Sequence, residues 1–126
     1  MKILKWSYVD RTAEGKPVKI LKWWTRTVVF QCKSKSFKKT VEKAVKKGIS
    51  LAGTDFYIAD LSKATLQNGD FFKANFAYAD LRGADLRGAD LRGAILFNAN
   101  LKNADLRGAN LKNANLAGVS LEDVVI

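Results

Sequence analysis

Residues 79–94 read ADLRGADLRGADLRGA, with Leu81, Leu86 and Leu91 five apart and Ala79, Ala84 and Ala89 two places ahead of them. Five is neither the 3.6-residue period of a helix nor the two-residue period of a strand. The register runs on in both directions. An apolar residue stands at Leu51, Phe56, Leu61, Leu66, Phe71 and Phe76, and again at every fifth position from Leu96 to Ile126. A small residue sits two places earlier from Ala59 to Ala114, with Ile49, Thr54, Val119 and Val124 as exceptions near the two ends.

On an α-helix a step of five residues turns the chain about 140° past a full revolution, so the leucines would spiral around every side. In a flat strand they would alternate between faces. A square coil resolves the conflict. Ala-Asp-Leu reads in–out–in, Arg-Gly turns a corner, and four such units close a coil of about 20 residues, stacked on the next at roughly 4.8 Å. One large side chain then fills the centre, and only a small one fits beside it.

The units ADLRG, ANLKN and ANLAG resemble the pentapeptide-repeat proteins. The resemblance covers residues 49–126 and implies an all-β solenoid, a right-handed quadrilateral β-helix of about four coils. Residues 1–48 form a separate basic segment. In it, VKILKWW and TVVFQC predict a β-hairpin, MKILKW a possible third strand, and SFKKTVEKAVKKG a helix. Phe37, Val41, Ala44 and Val45 share one face of that helix, Ser36 is its N-cap and Gly48 its C′ residue. Together they predict an N-terminal hairpin-plus-helix cap over the open edge of the first coil. This order resembles the start of small pentapeptide-repeat proteins encoded by bacteriophages.

The chain has 126 residues, one cysteine (Cys32) and no histidine. An internal disulfide is impossible, and the His/Cys spacings of metal sites are missing. The apolar runs are too short to span a membrane, and the first residues do not read as a signal peptide. The expectation is a cytoplasmic, non-enzymatic protein without a cofactor. Asp80, Asp85 and Asp90 point outward on successive faces and do not converge on a substrate. Gly83, Gly88 and Gly93 are corners, not a phosphate loop.

The net charge of +10 is uneven: residues 1–48 carry 14 Lys/Arg against 3 Asp/Glu, and residues 49–126 carry 8 against 9. Three surfaces stand out. Sorted by steps of twenty, one face stacks Tyr57, Ile58, Tyr78, Ile95 and Phe97, a contiguous apolar stripe of the kind that marks a contact. Its occupant is either a partner protein or the segment holding Trp6, Trp23 and Trp24. Lys33, Lys35, Lys38, Lys39, Lys43, Lys46 and Lys47 form a basic patch fit for nucleic acid or an acidic protein. Val119, Leu121, Val124, Val125 and Ile126 make an apolar end. Tail-to-tail pairing in the quinolone-resistance members implies a homodimer there.

The resulting reading is a binding protein that presents β-helix faces and a basic cap to a host protein, as a phage-encoded host-modulating or defence-blocking factor would. One alternative, implied by the resemblance, is a DNA gyrase-directed mimic of duplex DNA. The near-neutral charge of the repeat region argues against it. The other is nucleic-acid binding through the Lys-rich helix.

Overall fold

The computed structural model describes residues 18–21, 28–32 and 36–126. Strands β1 (Val18–Leu21) and β2 (Val28–Cys32) pair antiparallel, Val18 opposite Cys32, with an irregularity between Ile20 and Leu21. Helix α1 (Phe37–Lys46) follows and lies against both strands. Lys33, Lys35, the three tryptophans and the proposed third strand lie outside the described residues.

Ser36 caps α1 by accepting from the Lys39 amide at 3.3 Å, and Gly48, at φ +73°, takes the chain out of the helix. The helix buries Phe37, Thr40, Val41 and Ala44. Phe37, Val41 and Ala44 join the same apolar core as the repeats, so the cap and the solenoid share one interior.

From Gly48 to Asp123 every fifth residue has positive φ. From Gly53 onward each such residue is the third of a β-turn closed by a bond such as Ala59 N to Phe56 O at 3.0 Å or Ala84 N to Leu81 O at 3.0 Å. Positive φ at that place is the demand of a type II turn, which favours Gly and Asn. Between turns the chain runs straight for too few residues to build a regular strand. The Ala-Asp-Leu triplets, expected as short strands, therefore pair only through single parallel bridges: Asp60 with Asp80, Asp80 with Asn100, Asp85 with Asp105. Each bridge joins residues twenty apart, so one coil is four units. Its backbone bonds run both ways, Leu61 N to Asp80 O and Asp80 N to Ala59 O, both at 2.8 Å.

The central column from Leu51 to Leu106 is buried, and the small column from Ala59 to Ala104 lies beside it. Near the helix the column is aromatic. Phe56 stacks on Phe76 at 4.7 Å, Phe71 meets both edge-on, and Phe37 of α1 closes the cluster 6.2 Å from Phe56. Gly69 replaces alanine here because the Phe71 ring occupies the space a Cβ would need.

Two features of the ladder are local. At the first coil α1 supplies the partners that a preceding coil would give: Lys38 Nζ donates to Ser62 O at 2.6 Å, and Glu42 Oε2 accepts from Thr65 N at 2.7 Å. At the other end the ladder opens. The amides of Leu101 and Asn103 reach no acceptor among the described residues, pairing resumes at Leu106 N to Val125 O, and a cleft of about 380 Å³ lies between Asn100–Lys102 and Ser120–Asp123.

Candidate binding faces

Where a unit carries Asp or Asn at its outward position, that residue has a structural task. Its side-chain oxygen accepts the amide two residues on, Asp60 from Ser62, Asp80 from Arg82, Asn100 from Lys102, Asn115 from Ala117. This Asx-type bond holds the start of the turn, as short polar side chains do in turns generally. Where the next residues are Arg-Gly, the same carboxylate also binds the guanidinium in two places. Arg82, Arg87, Arg92 and Arg107 grip Asp80, Asp85, Asp90 and Asp105 at 2.6 to 2.9 Å. The arginine bond is the main cause holding each of these carboxyls below the usual range, with Asp85 lowered to about 2. A carboxylate so engaged is a poor general base, and opposite charges cancel along the rod.

The face built from positions 55–58, 75–78, 95–98 and 115–118 differs. Its Asp55 and Asn75 are buried and accept from Tyr57 N and Ala77 N. Its exposed large side chains are apolar, beside the exposed amides of Asn98 and Asn115: Ile58 and Tyr78 are each 48% exposed and Phe97 37%, with Tyr57 and Ile95 half-buried. The rings form a ladder up the rod. Tyr57 meets Tyr78 edge-on at 5.8 Å, and Tyr78 meets Phe97 edge-on at 5.6 Å. All five residues read from the sequence as one stripe thus stand together. Ile58 and Tyr78 hold left-handed corners at φ +53° and +59°, a conformation costly for bulky side chains and worst for a β-branched one.

Of the basic patch, Lys33 and Lys35 lie outside the described residues, and Lys38 is half-buried with its Nζ on Ser62 O, an edge plug for the first coil. Lys39, Lys43, Lys46 and Lys47 remain exposed. At the apolar end Leu121, Val125 and Ile126 are exposed, while Val119 and Val124 pack partly against the core. The sequence reading missed Phe72, 38% exposed around the corner from the aromatic face, with Lys73 Nζ 5.3 Å and Arg92 Cζ 5.4 Å from its ring centre. Counting outward positions on that neighbouring face in steps of twenty would have found it.

A solenoid of square coils, cornered every five residues and carrying Asp or Asn outside and Leu inside, defines a class of protein by itself. The chain matches the family model described as pentapeptide repeats (8 copies) in four overlapping segments, residues 47–76, 54–93, 74–113 and 94–125. The chain belongs to the pentapeptide-repeat family, whose members form right-handed quadrilateral β-helices. Among solved structures it is similar to alr5209, a pentapeptide repeat protein from Nostoc PCC 7120, at 36% identity over 64% of this chain and 72% of that one, with TM-score 0.50. It is also similar to HetL, involved in heterocyst differentiation regulation in Nostoc sp. strain PCC 7120, at 36% identity over 61% of this chain and only 36% of HetL, with TM-score 0.46. The plasmid-mediated fluoroquinolone resistance protein QnrB1 matches at 27% identity over 48% of this chain and 33% of its own, with TM-score 0.30. No curated protein sequence matches the chain significantly.

Proposed function

We propose that this chain is a non-enzymatic binding protein that docks a partner protein on the uncharged aromatic face Tyr57–Ile58–Tyr78–Ile95–Phe97. The observation that carries the reading is the placement of Ile58 and Tyr78 in left-handed corners. Gly or Asn would fill those corners without strain, and backbone strain kept at an exposed apolar group is a mark of a working surface. Rigid aromatic anchors on a stiff scaffold lose little conformational freedom on binding. The test is a photo-crosslinker at position 98, beside the ladder, compared with one at position 103 on the next face. A partner captured from 98, absent from 103 and lost on Tyr78→Ser/Phe97→Ser supports the reading; equal capture from both positions overturns it.

A topoisomerase-directed role by duplex mimicry fits the rod poorly. Mimicry needs an unbroken negative potential, and here four arginines neutralise four of the outward aspartates. Unchanged gyrase supercoiling at micromolar protein is the expected result. We also propose end-on self-association through Leu121, Val125 and Ile126. It predicts a doubled mass by light scattering at micromolar concentration, reverting to the monomer in Leu121→Glu.

A further inference from the structure

A groove of about 770 Å³ runs between α1 and the first coil, on a face other than the aromatic one. Val45 floors it, Lys43 and Lys46 stand on the helix side, and Thr65, Gln67 and Asn68 form the opposite wall. Glu42 also borders it, but its Oε2 is bound to the Thr65 amide. None of the ion pairs among the described residues involves Lys43 or Lys46. The groove is therefore cationic.

Its coil wall is also an unfinished sheet edge. One coil further on, Asp85 O accepts from Leu66 N at 2.8 Å and Arg87 O from Asn68 N at 2.8 Å. Thr65 and Gln67 hold the same register twenty residues earlier, so their carbonyls point toward the end where α1 sits. Neither receives a hydrogen bond from the described residues. The Gln67 side chain is turned away, donating to Asp85 at 2.5 Å, and leaves its main chain open.

We propose that this groove binds an extended acidic segment of a partner protein, which adds to the edge of the first coil. Main-chain N–H groups of the segment donate to Thr65 O and Gln67 O. Its carboxylates meet Lys43 and Lys46, and an apolar side chain between them rests on Val45. Strand addition of this kind takes affinity from the main chain and selectivity from alternate side chains. A nucleic acid would satisfy the lysines but brings no row of backbone donors for the two carbonyls, and the groove offers no aromatic ring for a base to stack on.

The experiment uses the full chain and a labelled peptide of alternating Glu and Val, read by fluorescence anisotropy. Two further peptides carry N-methyl groups on alternate amides, one in each register, and an oligothymidylate of equal charge is the fourth probe. The unmodified peptide should bind, and one N-methyl register should abolish binding while the other leaves it intact. Lys43→Glu/Lys46→Glu should weaken binding about tenfold, and Lys39→Glu, outside the groove, should not. Lys43→Gln/Lys46→Gln, with a far-ultraviolet spectrum matching the parent, guards against misfolding and should weaken binding by a smaller factor. No binding of the unmodified peptide, equal binding of both N-methyl registers, or tighter binding of the oligothymidylate each overturns the proposal. The last would make α1 a nucleic-acid surface.

Discussion

At each corner a single residue decides between strain and fit. Asn98 and Asn68 reach over the glycine of the next coil, so a Cβ at Gly118 or Gly88 would run into their Oδ1 atoms. Gly118→Ala should cost about 1–3 kcal/mol in urea unfolding, and Asn98→Gly in the same chain should recover the part due to collision. Gly48→Ala meets nothing and should cost only the conformational term. Ile58 is the reverse case. Ile58→Asn should stabilise the fold by about 1 kcal/mol, since Asn accepts the left-handed region more readily. It should also weaken capture at position 98, as a trade of stability for function requires. The carboxylates Asp80, Asp85, Asp90 and Asp105 have folded pKa values below their unfolded ones. Their stabilisation is therefore complete above about pH 4 and is lost as pH falls through the folded values, Asp85 last at about 2. A pH titration of the unfolding midpoint should be flat from 7 to about 4 and fall below that. The fall should be modest, because each pair is solvent-exposed and joins residues only two apart.

For the elements, the pattern and the structure diverge in instructive places. The repeat register gave the interior without error from Leu51 to Leu106, because a five-residue period leaves one way to bury those side chains. The helix face was equally plain from Phe37, Val41 and Ala44. What the sequence hid was polar: Lys38 looked like one more surface lysine, and Glu42 like a lone acid among them. Their roles depend on Ser62 and Thr65, more than twenty residues away, so no local rule exposes them. Glu42→Ala should cost about 1 kcal/mol and speed hydrogen exchange at the Thr65 amide, while Glu42→Gln, which keeps an acceptor, should do so less. The opened ladder near Ser120 lies where the units leave the consensus, with Val119 and Ser120 in place of Ala and Asp or Asn, a departure the sequence displayed without its structural outcome. The amides of Leu101 and Asn103 should exchange faster than those of Leu81 and Gly83, their counterparts one coil earlier.

Taken as a whole, the molecule is a rod with one interior and four dissimilar sides. The interior was legible because it repeats. The sides were legible only after the residues were sorted by twenties, and then incompletely, as the aromatic ladder was found and Phe72 was not. Stability should follow the same linear logic. Phe76→Ala, in the aromatic cluster that α1 closes, should cost about 3–5 kcal/mol and loosen the coils on either side of it, as measured by exchange along the rod.

The ladder spacing of twenty against a unit of five has a consequence for how such a chain can change length. Excising Leu81–Asp85 would leave every later leucine pointing inward, so the tube would still close. Everything downstream, however, would be rotated by a quarter of a revolution: Phe97 would leave Tyr78 and turn up around the corner. Only a loss or gain of whole turns preserves the pattern on the outside. Folding is therefore indifferent to slippage by one unit, and recognition is not.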